Sequence, residues 1–150
     1  MKTVLFGEKL IVNDLYNTKI LNLAADIPRL GKLDNPQVSA TVVSKLCGSK
    51  ITVYLNIKDD CVVDFSHEVK ACSLGQAASS VMARNVIGSS SSELLELKKS
   101  MYEMLKNEGL PPKGKWDDLK FLQPVKDYKG RHASVMLTFD AVEECLVQEK

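Results

Sequence analysis

Residues 50–58, KITVYLNIK, alternate Ile51, Val53, Leu55 and Ile57 against Thr52, Tyr54, Asn56 and Lys58. That is the period-two signature of a half-buried strand. The Asp59-Asp60 pair that follows is a turn signal, and residues 62–69, VVDFSHEV, place Val63, Phe65, His67 and Val69 in phase on a second strand. Pairing the two runs as an antiparallel hairpin returns the chain to the end it left, so Cys47 and Cys72, at equal distances from the turn, are predicted to be neighbours.

Outward from this hairpin the pattern is mixed. Pro36 opens a first strand expected over Val38 to Leu46, with Val38, Ala40 and Val42 on one face. Leu15, Ile20, Leu23 and Ala24 predict an N-terminal helix stopped by Pro28 and Gly31. Cys72 opens the helical run CSLGQAASSVMARNVI, which Gly88 terminates with a left-handed cap. Ser90 and Glu93 form a capping box ahead of ELLELKKSMYEMLKN, which stops at Gly109 and the Pro111-Pro112 pair. A short helix is expected from Trp116 to Leu122 before Pro124. The closing segment HASVMLTFDAVEECL sets Val135, Phe139, Val142 and Leu146 on one helical face. The chain reads as helices around a small sheet.

At 150 residues, 45% hydrophobic and 26% charged, the chain is long enough for one core, and a single domain over 1–150 is expected. A net charge of +1, with no basic cluster interleaved with aromatics, argues against nucleic acid as the partner. Gly7, Glu8 and Lys9 interrupt the apolar start, and no later run reaches membrane-spanning length. The expectation is a soluble, cytoplasmic protein with no membrane partner, whose four cysteines are thiols or metal ligands rather than a disulfide framework.

Cys72, just ahead of a helix with Ser73 and Gly75 as small neighbours, sits where orphan N–H groups and the helix dipole favour a thiolate. A thiolate pair binds zinc or an iron-sulfur cluster, or accepts sulfur as persulfide. Against this stands the plain alternative that both are ordinary buried cysteines, a residue type commonly found inside. Cys61 falls at the far end of the hairpin, and Cys145 lies twelve residues beyond Ala133, about 18 Å along a helix axis. Neither reaches the pair. His67, in phase with Phe65 and Val69, is expected at the edge of the core.

The segments LCGSKITVYL, VKACSLGQAASSVMA and RHASVMLTFDAVEECL, in that order and at those separations, resemble the signature segments of the U-type iron-sulfur cluster scaffold family. That family includes IscU, SufU and the N-terminal part of NifU. The resemblance spans roughly residues 10 to 148, with LYNTKILNLAADIPRLG similar to the opening helix, and residues 96–129 resembling the insertion of the SufU branch. It implies an α+β fold of the SufE/NifU kind, a three-stranded antiparallel sheet packed by helices, and a single domain like the NifU N-terminal one, with a cluster or zinc site at one end of the sheet. By the same resemblance Cys47 and Cys72 occupy the first two of three cysteine positions, and His132 matches the histidine that precedes the third. The third position itself is Ala133, the position of a family aspartate is Ser49, and a histidine near Leu23 is missing.

Two thiolates and His132 fall short of four ligands. Water on a weak zinc site, a cluster shared by two subunits, or a ligand from a partner would complete it. The implied function is an iron-sulfur cluster assembly scaffold. Such a protein is not an enzyme: it takes sulfur from a cysteine desulfurase and iron from a donor, and passes the cluster to apo iron-sulfur proteins. The alternatives are a zinc-dependent sulfur acceptor and a metal-free interaction paralogue.

Overall fold

Asp59 and Asp60 both take left-handed backbone conformations, with φ of 53° and 63°, which is what a two-residue hairpin turn of the primed type requires. They join β2 (Lys50–Lys58) to β3 (Cys61–Lys70), paired antiparallel from Lys58 opposite Cys61 to Lys50 opposite Lys70. β1 (Val38–Val43) adds to the other side of β2, giving the order β1-β2-β3. The chain is described by a computed structural model over residues 17–149. Leu15 of the expected N-terminal helix lies outside the described residues.

The hairpin carries one irregularity that alternation alone does not show. Leu55 pairs with Phe65 and Asn56 with Asp64, but Ile57 pairs with Val62, so Val63 is the extra residue of a bulge. The phase of β3 slips there. Val62 turns inward and is buried, whereas Val63, expected on the inner face, is exposed. The outer edge of β3 is covered locally, because the His67 N–H donates to the Arg29 carbonyl and the Gly31 N–H to the His67 carbonyl. His67 is buried, with Nε2 against the Pro28 carbonyl at 2.9 Å and its ring edge-on to Phe65.

Helices α1 (Thr18–Ala25), α2 (Ser73–Asn85), α3 (Ser91–Lys106) and α4 (His132–Glu149) pack around this sheet. Asn17 caps α1 by accepting from the Ile20 N–H. The small residues of α2, Gly75, Ala77, Ala78, Ser79 and Ser80, are buried, which lets its neighbours approach closely. Ser90 caps α3 by accepting from the Glu93 N–H at 3.1 Å. The Glu93 carboxylate lies near the Ser90 backbone in return, the arrangement of a capping box. α4 packs against β1 and β2, with Val135, Phe139, Val142 and Leu146 all buried as the helical spacing predicts.

Two boundaries differ from the sequence expectation. β1 ends at Val43 rather than Leu46, because residues 44–49 close into a tight turn. The segment expected as a short helix from Trp116 to Leu122 is a 3-10 helix over Gly114–Asp127 with Pro124 inside it, followed by a second over Lys129–Arg131. Trp116, Leu119, Leu122 and Val125 are its buried residues. Their spacing of three matches the three residues per turn of a 3-10 helix, so one apolar stripe runs its whole length. No helix among the described residues is long and apolar enough to cross a membrane.

Candidate functional site

The turn between β1 and β2 is built to present one thiol. The Ser44 N–H donates to the Ser49 carbonyl and the Gly48 N–H to the Ser44 carbonyl, both at 2.8 Å. Gly48, with φ of 74°, supplies the left-handed step that closes the loop. This buries the hydroxyls of Ser44 and Ser49 beneath an exposed Cys47. The Cys47 Sγ lies 3.4 Å from Ser44 Oγ and 3.0 Å from Ser49 Oγ. Hydrogen bonds with Ser44, then with the Ser49 hydroxyl and N–H, outweigh a small effect of burial; with a further contribution from Ser134 they bring the thiol down to a pKa of about 7. A thiol so placed is substantially ionised at neutral pH.

Cys72 arrives from the other side of the same sheet end, directly after β3. It is the N-cap residue of α2, but its side chain makes no capping hydrogen bond. Its sulfur turns instead to Ser134 in the first turn of α4, at 3.1 Å from Oγ. Gly75 makes this possible: a Cβ there would stand 2.9 Å from the Ala71 Cβ and 3.0 Å from both the carbonyl oxygen and the hydroxyl of Ser134. Ser134 also contributes to the lowered pKa of Cys47, so this one side chain lies near both thiols. The hairpin register, with Val43 opposite Lys50 and Lys50 opposite Lys70, sets both cysteines at the same end of the sheet.

His132 opens α4 and is buried. Its Nε2 lies 2.9 Å from the Val125 carbonyl and 3.1 Å from the Lys126 carbonyl, while Nδ1 has no partner. Two carbonyls can only accept, so Nε2 carries a proton and donates to them. Among the described residues no group of three or more His, Cys, Asp or Glu side chains is placed to hold a metal ion, so His132 is not gathered with the two thiols. Ala133 is exposed beside it, in a cleft of about 350 Å³ lined also by Leu46, Tyr102 and Met136, with Lys106 and Lys129 at the rim.

The remaining cysteines lie apart, as their sequence positions imply. Cys61 pairs with Lys58 at the Asp59-Asp60 turn. Cys145 is fully buried, its thiol set against the Val53 carbonyl at 3.6 Å and pushed up to about 12 by burial. Sequence reasoning missed Ser44 and Ser134. Ser44 had a local signal, since a serine three residues before a Cys-Gly turn can close back on it. Ser134 had none, because its contact with Cys72 spans 62 residues.

A family model described as the NifU-like N-terminal domain matches residues 15–134. The iron-sulfur cluster assembly scaffold protein IscU of Thermotoga maritima is 29% identical over 132 residues, covering 88% of this chain and 92% of that protein. The scaffold protein of the same name from Streptococcus pyogenes is 24% identical over 135 residues, covering 90% and 84%. Among solved structures, a nitrogen-fixing NifU-like protein (N-terminal) from Brucella abortus superposes with a TM-score of 0.91 at 55% identity, covering 92% of this chain and 96% of that one. The putative iron-sulfur cluster assembly scaffold protein for the SUF system from Fervidobacterium islandicum has a TM-score of 0.80 at 24% identity, covering 89% and 98%, a likeness of fold.

Proposed function

The chain belongs to the NifU-like N-terminal domain family, and from that membership we propose that it is an iron-sulfur cluster assembly scaffold, with Cys47 and Cys72 as its thiolate ligands for iron. The observation that carries the assignment is the pair of cysteines brought to one end of the sheet, Cys47 on the β1–β2 turn and Cys72 just after β3, with Ser134 beside the Cys72 sulfur. The cluster is cargo: assembled on these thiolates from iron and sulfide, then passed to an apo iron-sulfur protein. Cytoplasmic residence accords with four free thiols.

His132 is assigned the third donor, through Nδ1. Metal-binding histidines commonly donate their other ring N–H to a carbonyl, which fixes the tautomer, and Val125 and Lys126 do this for His132. Nδ1 is not grouped with the thiols here, so this ligation requires the start of α4 to adjust as iron arrives. The fourth position falls to another molecule, a second copy or the recipient protein. Zinc, which takes the same sulfur and nitrogen donors, fits the same set.

Anaerobic reconstitution with ferrous iron and sulfide, read by visible absorption and metal analysis, tests the proposal. The wild-type protein is expected to take up a coloured cluster, Cys47→Ser and Cys72→Ser to take up none, and His132→Ala to hold it more weakly. A wild-type protein that stays colourless and metal-free overturns the scaffold reading.

A second reading, sulfur acceptor for a cysteine desulfurase, is favoured by one observation: Cys47 is exposed with a pKa of about 7. Its thiolate attacks the outer sulfur of the desulfurase persulfide; the donor thiolate leaves and Cys47 carries the persulfide. The exposed Leu46 and the cleft beside Ala133 give the donor apolar surface to rest on. Transfer of labelled sulfur from a desulfurase to Cys47, lost in Cys47→Ser, tests it.

A further inference from the structure

We propose that Cys72 is the resolving thiol for a persulfide on Cys47, so that this chain itself reduces the transferred sulfur to sulfide and is left with a Cys47–Cys72 disulfide. The inference rests on the sulfur-acceptor reading and extends it to the fate of the sulfur.

Chemical necessity motivates it. A cluster contains sulfide, whereas the outer atom of a persulfide is sulfane sulfur, two electrons more oxidised. Those electrons must come from a neighbouring donor, and a second thiol within reach is the simplest one. Cys72 meets that condition, since it follows β3 at the sheet end where the Cys47 turn joins β1 to β2, and Ser134, 3.1 Å from the Cys72 sulfur, also acts on the Cys47 thiol. No other thiol does. Cys61 is at the opposite end of the hairpin, and Cys145 is fully buried behind β2. The position at which a third thiol would intervene is Ala133.

The two cysteines are also unlike in the way such a division of labour needs. Cys47 is exposed at the tip of a turn, with Leu46 and Gly48 exposed on either side, so a bulky donor can reach it. Cys72 is half-buried at the start of α2, with its sulfur on the Ser134 hydroxyl. An external donor therefore loads Cys47, and Cys72 faces the loaded sulfur from the protein side.

The steps balance. The Cys47 thiolate attacks the outer sulfur of a donor persulfide; the new S–S bond forms as the old one breaks, and the donor leaves as a thiolate. Cys72 then attacks the inner sulfur, which is Cys47 Sγ, and expels the outer atom as hydrosulfide, which takes up the proton shed by the Cys72 thiol. Two cysteine thiols are oxidised to one disulfide and one sulfane sulfur is reduced to sulfide. A dithiol reductant resets the pair. The disulfide state has no thiolate for iron, so assembly waits on that reductant.

The test mixes fully reduced protein with one equivalent of glutathione persulfide under argon and without added reductant. Sulfide is measured colorimetrically, and the Cys47 and Cys72 peptides are weighed by mass spectrometry. Wild-type protein is expected to release close to one equivalent of sulfide and to show a Cys47–Cys72 disulfide. Cys72→Ser is expected to hold the extra sulfur atom on Cys47 and to lose sulfide release. Serine is a favoured N-cap where Cys72 makes no capping bond, so this variant retains α2, which circular dichroism checks. Wild-type protein that keeps a stable Cys47 persulfide without a disulfide overturns the proposal while the acceptor reading stands. Equal sulfide release from wild type and Cys72→Ser also overturns it. If Cys47 gains no sulfur even in Cys72→Ser, the acceptor reading fails and takes the proposal with it.

Discussion

Replacing Ser44 and Ser49 together by alanine removes the two hydroxyls that contribute most to the low pKa of Cys47 and leaves the Ser49 N–H in place. At a pKa of about 7, roughly half of the thiol is ionised at neutral pH; at the ordinary 9.0 the fraction is about 1%. A thiolate of higher pKa is intrinsically more nucleophilic, by about threefold per unit for a Brønsted coefficient near 0.45. A full return to 9.0 thus leaves about 50-fold less thiolate that is about 8-fold more reactive, a net slowing of about sixfold. A return of about one unit, with the Ser49 N–H still donating, slows the reaction about twofold. Above about pH 10, where both proteins are fully ionised, the order reverses and the double variant reacts faster by about threefold to eightfold. The assay is the rate of mixed-disulfide formation at Cys47 with an aromatic disulfide, followed by mass spectrometry in a Cys72→Ser background across a pH series. Identical midpoints and no crossover would refute the assignment of the low pKa to these hydroxyls.

Gly75→Ala sets a steric cost of about 1–3 kcal/mol from overpacking against a helix-propensity gain of about 1 kcal/mol, since the new Cβ would stand 2.9–3.0 Å from Ala71 and Ser134. The variant is expected to melt lower by up to a few degrees and to label faster at Cys72 with iodoacetamide; a higher melting temperature with unchanged labelling argues against the close approach of α2 and α4. Ala133→Cys, beside His132, is expected to raise zinc or cluster content after identical reconstitution, because a third thiolate joins the two present. Equal metal content in both proteins counts against Ala133 marking a ligand position. Cys145 is fully buried with a thiol pushed up to about 12, so it is expected to resist alkylation until the protein unfolds. Cys145→Ser is expected to lose about 1–2 kcal/mol by burying a hydroxyl with a single carbonyl partner, read from denaturant midpoints.

Local signals carried the part of the structure that local forces decide. Alternation over Ile51 to Ile57, the Asp59-Asp60 pair and the equal offsets of Cys47 and Cys72 were enough to fold the hairpin and bring its two thiols to one end. Ser90 with Glu93, and the helical spacing of Val135, Phe139, Val142 and Leu146, were legible for the same reason: caps and amphipathic faces depend on residues a few positions apart. The bulge at Val63 was not legible, since either Val62 or Val63 satisfies an apolar pattern, and the pairing of Ile57 with Val62 is what chooses between them. The period-three stripe from Trp116 to Val125 was present in the sequence, but Pro124 reads as a stop unless the stripe is recognised as 3-10. The tertiary structure alone decided the chemistry at the site. It placed Ser134 against Cys72 across 62 residues of chain, tied His132 Nε2 to the carbonyls of Val125 and Lys126, and left Cys47 exposed over two buried hydroxyls. Such contacts join elements distant in sequence, and their geometry follows from how helices and sheet pack rather than from the propensity of any segment.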